Sequence, residues 1–232
     1  IAIAGGAADI IVSDWLWVAR ERSLGSKLTL HPYSTAVGAV MVGKDSTIRR
    51  IADLAGRKIG VAGGPLDKSW LLLQAQALRE GVDLKKLAQP VYGAPPLIAE
   101  KLAQGELDAA LEFWNFCAAL EGRGMHRAIE IRDIQRQLGA VGAPVVTGYV
   151  FDQDWGARHA ALLRSFFAMA DEAKRLIATS DDAWTIVAPM TGAKEPATLA
   201  IYRERYSQGI PAASSAAYET DARALFKVLA AT

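Results

Sequence analysis

The amino-acid sequence predicts a two-lobed α/β protein, and three observations carry that expectation. Short apolar runs alternate with longer amphipathic stretches along the 232 residues, the pattern of strands covered by helices. A segment near the start recurs near the middle. No low-complexity tract or flexible linker interrupts the chain, whose length suits one large domain or two lobes of roughly 100 residues each.

Strands are expected at Asp9–Val12, Lys27–Leu30, Ala36–Val42, Lys58–Ala62, Gln89–Tyr92, Asp108–Leu111 and Val145–Phe151. Each is a short apolar run, and the helical stretches between them predict a parallel sheet. A helix over 69–80 follows a Gly-Gly-Pro turn and ends at Gly81, and one over 95–104 ends at Gly105. A long third helix over 158–178 has apolar residues at helical spacing. From Asp181 onward, Pro189, Pro196 and Pro211 divide the tail into two or three further helices.

Hydrophobic residues make up 51% of the chain, enough for a substantial core. Lys plus Arg number 26 against 25 Asp plus Glu, so a net charge of +1 supplies no field to attract nucleic acid or an anionic membrane. The expected partner is a small solute or another protein. Cys117 is the sole cysteine, which excludes an internal disulfide and a cysteine metal cage, and His31, His126 and His159 lack ligand spacing. Neither a metal nor a cofactor is expected. No apolar run reaches the roughly 18 residues of a membrane span, and Ile1-Ala2-Ile3-Ala4 opens the chain without a basic region or cleavage signature.

The repeat aligns Ala4–Ala19 with Ala103–Ala118 without gaps. Ala4 and Ala103, Gly6 and Gly105, Asp9 and Asp108, Trp15 and Trp114, and Ala19 and Ala118 coincide. Both copies read as a helix end, a glycine turn, a strand, and an aromatic at the strand's carboxyl end. What precedes Ala103 is then expected to precede Ala4 as well, so lobe one is expected to be N-terminally incomplete in this chain. The absent part is a strand-helix-strand-helix of roughly 40 to 50 residues.

Gly6-Ala-Ala-Asp9 running into Ile-Ile-Val, Ile51-Ala-Asp53-Leu54-Ala-Gly56-Arg57-Lys58-Ile-Gly60, and Lys101-Leu-Ala-Gln-Gly105-Glu-Leu-Asp108 resemble periplasmic substrate-binding proteins. The group is the nitrate, sulfonate and taurine type, similar to NMT1/THI5-like proteins. The resemblance covers roughly residues 1–155; the tail matches only in pattern. It implies a type II Venus-flytrap fold with lobe one at residues 1–35 plus 153–232 and lobe two at 36–152, joined by crossings near Tyr33–Ala36 and Phe151–Asp154. It also implies the solute-binding component of a bacterial ABC importer, a monomer that closes on a small organic solute and delivers it to a membrane permease. The location implied is the periplasm, or a lipid anchor at the outer face of the cytoplasmic membrane. Two alternatives share these lobes: the effector-binding part of a LysR-type regulator, and a THI5-like enzyme of pyrimidine synthesis. The latter resembles a cysteine-rich site that this chain lacks, and no Gly-x-Ser-x-Gly elbow occurs, so no catalytic residue is assigned.

Parallel sheets receive ligands beyond the carboxyl ends of their strands, which selects the candidate binding residues. Gly63, Gly64, Pro65, Asp67 and Ser69 lead from a strand into a helix whose free N–H groups favour an anion. The same residues also suit a plain turn with Asp67 or Ser69 as N-cap. Ser13, Asp14 and Trp15 end one copy of the repeat, and Glu112, Phe113 and Trp114 the other, and the two triplets are expected to face each other across a cleft. The two indoles suit a planar solute, and the carboxylates suit an amine. Tyr33, Ser34, Thr35 and Thr147 flank the crossings and offer hydroxyls, or else satisfy hinge backbone. Trp17 and Phe116 are expected in the core.

Overall fold

The computed structural model describes residues 2–212 and 215–231, so Ile1 lies outside the described residues. The chain begins with β1 (Ile10–Asp14), α1 (Trp15–Ser23) and β2 (Leu28–Ser34), then crosses to β3 (Ala39–Val42). After a 3-10 turn at Ile51–Leu54 come β4 (Lys58–Ala62), α2 (Lys68–Arg79), α3 (Leu84–Leu87), β5 (Gln89–Gly93), α4 (Pro95–Ala103), β6 (Ala109–Glu112) and α5 (Trp114–Gly122). Then follow β7 (His126–Glu130), α6 (Ile131–Gln137), β8 (Thr147–Asp152), α7 (Gln153–Arg158) and α8 (Ala160–Thr179). The tail is α9 (Asp181–Val187), α10 (Pro196–Gln208) and α11 (Ser215–Ala230).

These strands form two sheets, a three-stranded one in the order β1-β8-β2 and a five-stranded one in the order β5-β4-β6-β3-β7. Only β5, β4 and β6 run parallel, as βαβ connections require. Strand β3 lies antiparallel between β6 and β7, and the smaller sheet is antiparallel throughout, which corrects the expectation of parallel sheets. Strands β4 and β6 bury both faces, explaining why Ile59–Ala62 and Ala109–Leu111 are unbroken apolar runs. One face of the larger sheet packs Trp70, Leu73, Leu84, Ile131, Ile134 and Leu225. The other packs Met41, Ile98, Leu102, Leu107, Cys117 and Leu120. Asp108 accepts a hydrogen bond from the Lys58 backbone N–H at 2.8 Å, a turn role at the start of the strands.

Thr147–Asp152 is grouped with residues 36–152 by the sequence, yet its ladder runs between β1 and β2, from Ile10↔Phe151 to Asp14↔Thr147 on one side. The second crossing is therefore the stretch 138–146, not Phe151–Asp154. Gly148 permits the pairing, because a Cβ there would meet Leu30 at 2.3 Å. The two crossings touch: the Val146 N–H donates to the Ser34 carbonyl at 2.8 Å. Gly209, just past α10, joins them. Its carbonyl accepts from the Thr35 N–H at 2.8 Å and the Thr35 hydroxyl at 3.2 Å. A Cβ at Gly209 would approach the Ala36 Cβ to 2.6 Å. The repeat is visible locally, since Trp15 and Trp114 each open the helix that follows its strand.

Candidate binding cleft

A cavity of about 210 Å³ opens where the carboxyl end of β2, the start of β8 and the starts of α2 and α5 converge beside the crossings. Of the sequence-selected residues, Tyr33, Ser34, Ser69, Trp114 and Thr147 line it. Phe113, expected at the same strand end, lines it too, and joining them are Lys68, Asn115, Lys174 and Tyr206, which the sequence reasoning did not single out. Lys68 reaches the cavity from the first position of α2, on the larger sheet, and its ammonium stands 5.7 Å from the Phe113 ring centre. Lys174 reaches it from α8, which packs on the smaller sheet through a His31–Phe167 stack with centroids 3.7 Å apart.

The two cations differ in their compensation. Lys174 is buried at 6% exposure and pairs with Asp171 at 2.7 Å. Lys68 has no carboxylate within 4 Å among the described residues. Burial, with Tyr33 and Tyr149 adding to it, pushes the Tyr206 phenol up to about 12, so it meets a ligand as a neutral hydroxyl. Trp114 is held by Tyr202 and Tyr206 of α10, with ring centroids at 6.2 and 6.3 Å. Two ammonium groups, one amide, several hydroxyls and an aromatic wall can hold an organic anion through charge-assisted hydrogen bonds at its head and apolar contact along its body.

The helix start is used differently from the anion-binding expectation. Asp67 N-caps α2, its Oδ1 accepting from the Ser69 and Trp70 N–H groups at 2.9 and 3.1 Å, which takes two of the donors an anion would use. Gly63, at φ +95°, donates its N–H to the Gly93 carbonyl at 2.9 Å, and Gly63, Gly64 and Pro65 do not line the cavity. Ser34 and Thr35 hold the backbone of the first crossing: the Ser34 hydroxyl accepts from the Ala36 N–H at 3.0 Å, and Thr35 is buried against Gly209.

Asp14 and Glu112 do not confront each other across the cavity. Asp14 N-caps α1, accepting from the Trp17 N–H at 2.9 Å, and with Ser13 it lines a separate groove whose other walls include Trp17, Leu66, Leu71 and Phe226. Trp17 therefore faces that groove, whereas Phe116 packs against the core as expected. Trp15 packs against the larger core cluster rather than lining the cavity. Glu112 is 1% exposed, and neither carboxyl oxygen has a hydrogen-bond partner among the described residues. Burial, reinforced by nearby Asp67, pushes its pKa up to about 8, so at neutral pH the side chain is mostly an uncharged acid. Cys117 is fully buried, and its thiol is pushed up to about 12 by that burial, the reverse of an activated nucleophile.

Among the described residues no helix is long and apolar enough to cross a membrane, and no cluster of His, Cys, Asp and Glu is placed to hold a metal. A search of curated proteins by sequence returned no match. The fold is shared with solved structures of low sequence identity. The aliphatic sulphonate binding protein SsuA from Escherichia coli superposes with a TM-score of 0.74 at 18% identity, over 97% of this chain and 76% of that one. The alkanesulfonate-binding protein SsuA from Xanthomonas axonopodis pv. citri, solved bound to MOPS, gives 0.75 at 18% identity, over 99% and 78%. A cysteine-to-serine mutant of DSZB, solved in complex with biphenyl-2-sulfinic acid, gives 0.56 at 17% identity, over 88% and 73%. Residues 2–178 match the model of the family described as NMT1/THI5 like, and the chain belongs to that family.

Proposed function

We propose that this protein is the solute-binding component of an ABC importer and that it captures a small organic anion of the sulfonate type between its two sheets. The observation carrying the reading is that Lys68 and Lys174 reach one cavity from elements packed on different sheets. An anion held by both cations ties the sheets together, so binding and closure are one event. Tyr206, Asn115 and Thr147 supply further polar contacts, and Phe113 and Trp114 cover the solute's apolar body. Lobe one comprises β1, α1, β2, β8 and α7 to α9, and lobe two runs from β3 to α6, with α10 and α11 of the tail packed on it. The crossings at 34–38 and 138–146 serve as the hinge. The likeness to sulfonate-binding proteins supports this substrate class, and the buried thiol of Cys117 argues against a cysteine-based enzyme. Release of the solute to a permease follows from the same reading, as does a location outside the cytoplasmic membrane.

Titration calorimetry with a series of alkanesulfonates, alkylamines and uncharged alcohols tests it. Alkanesulfonates are expected to bind, with about tenfold or greater loss in Lys68→Gln and in Lys174→Gln. Selective binding of the amines would contradict the reading.

A further inference from the structure

Behind the cleft cavity lies a second hollow of about 190 Å³, lined in part by Arg127, Arg132, Arg205, Glu130 and Gln208. Ala36, Val37 and Trp114 line both cavities, so they are separated only by one stretch of the first crossing and one indole. The charges of the rear hollow do not cancel. Arg127 is engaged by Glu130 at 2.5 and 3.0 Å and by Glu121 at 3.3 Å. Arg205 is engaged by both oxygens of Glu121, at 3.2 and 2.5 Å, and by the Gln208 side chain at 3.3 Å. Asp133 pairs with Arg136. With Arg136 counted, four guanidinium groups share three carboxylates, Glu121, Glu130 and Asp133, the last of which also lines the hollow, and Arg132 is the cation left without an ion pair.

Arg132 makes one hydrogen bond, a 3.3 Å contact from Nη2 to the Gln208 backbone carbonyl, and has no ion pair among the described residues. A guanidinium carries five N–H donors in a planar fork that matches an oxyanion bidentately. Burial and the neighbouring Arg136 and Arg127 lower its pKa, so the cation sits at a cost that a bound anion relieves.

We propose that the rear hollow is an oxyanion subsite recognised by Arg132. It takes a carboxylate, sulfonate or phosphate group, either as a free ion or as the distal group of a solute whose first anionic group occupies the cleft cavity. The distal-group form rests on the proposed function of the cleft; the free-ion form does not. In the distal form the specificity follows from the partition: a bifunctional anion passes the edge of Trp114, and the protein prefers dianions with a short spacer to monoanions.

The test is calorimetry on the full chain with sodium sulfate, propane-1-sulfonate and propane-1,3-disulfonate, in wild type, Arg132→Gln and Arg132→Lys. If the group is a free ion, sulfate binds the wild type and Arg132→Gln weakens it about tenfold. If it is distal, the disulfonate binds about tenfold more tightly than the monosulfonate, and Arg132→Gln removes that advantage while leaving the monosulfonate unchanged. Arg132→Lys, which keeps the charge and loses the fork, is expected to fall between in either case, and it decides the question if Arg132→Gln does not fold. Sulfate and disulfonate titrations that ignore both substitutions would overturn the subsite, as would a wild type that binds neither sulfate nor the disulfonate better than the monosulfonate. Failure of propane-1-sulfonate alone in every variant counts against the cleft reading, and the sulfate arm then still decides Arg132.

Discussion

Arg205 of α10 presents one edge of its guanidinium to Glu121 of α5, with Nε 3.2 Å and Nη2 2.5 Å from the two carboxylate oxygens. The pair links a tail helix to the larger sheet's layer, and both side chains are largely buried. Removing Arg205 leaves the largely buried Glu121 with only the 3.3 Å contact to Arg127, an under-compensated charge that costs more than the pair's net worth. Arg205→Gln is expected to lower stability by about 1–3 kcal/mol. A double-mutant cycle with Glu121→Gln is expected to show coupling above about 1 kcal/mol. Denaturant melts of the three variants check this, and additive effects would contradict it.

The repeat places Trp15 and Trp114 at equivalent points of two strand-helix units, but their surroundings assign them different work. Trp114 lines both hollows; Trp15 packs against the core. Trp114→Ala is expected to weaken alkanesulfonate binding about tenfold. Trp15→Ala is expected to leave binding intact while costing about 2–4 kcal/mol of stability. Calorimetry paired with thermal melts separates the two, and an equal loss of binding in both variants would show that the repeat, not the packing, decides the roles.

How much of this was legible in the sequence varies by element. The apolar runs at Lys58–Ala62 and Asp108–Leu111 announced buried strands, and the structure holds them as β4 and β6. Strand β7 was not legible, because His126-Arg-Ala-Ile-Glu130 is polar at an edge position where Arg127 is neutralised by Glu121 and Glu130. The second crossing was misplaced for a related reason: Asp152 and Asp154 look like a boundary, yet Asp152 is the N-cap of α7, accepting from the Trp155 N–H at 2.9 Å. Lys174 left a trace, since it follows Phe167 by two helical turns on the apolar face of α8 and ends up buried. Asp67 shows the limit of motif reasoning. The Gly-Gly-Pro helix start has the form of an anion site, but its own cap consumes the donors.

Glu112 gives the protein a pH-dependent stability of definite sign. Its folded pKa, about 8, lies above the ordinary value of 4.5, so between those values the native state holds a proton that the unfolded chain has lost. Stability from this group is full below about pH 4.5, falls as pH rises, and is exhausted above about pH 8, with a slope approaching about 1.4 kcal/mol per unit. Glu112→Gln is expected to be more stable than wild type at pH 8 and to flatten the decline. Urea melts at several pH values measure it, and an unchanged slope would contradict a buried, unpartnered acid.

Gly38 marks the tightest backbone approach at the first crossing. A Cβ there would lie 1.5 Å from the Glu112 carbonyl oxygen, a backbone atom that cannot rotate away. Gly38→Ala is expected to cost more than about 3 kcal/mol or to prevent folding, because relief requires separating β3 from β6. Gly64→Ala, which meets nothing within 4 Å, is the control and is expected to change stability by less than about 0.5 kcal/mol. Melting curves for the two, expressed side by side, compare them; equal stability would contradict the packing described at the crossing.

In the proposed complex one anion bridges Lys68 and Lys174. A crystal structure with a short alkanesulfonate bound, with the sulfur located by its anomalous signal, tests it most directly. A single sulfur site is expected in the cleft cavity, its oxygens within hydrogen-bonding distance of both ammonium groups and the alkyl chain against Phe113 and Trp114. A sulfur site at the Gly63-Gly64 turn, or in the groove beside Asp14, with the two lysines unengaged, would contradict it.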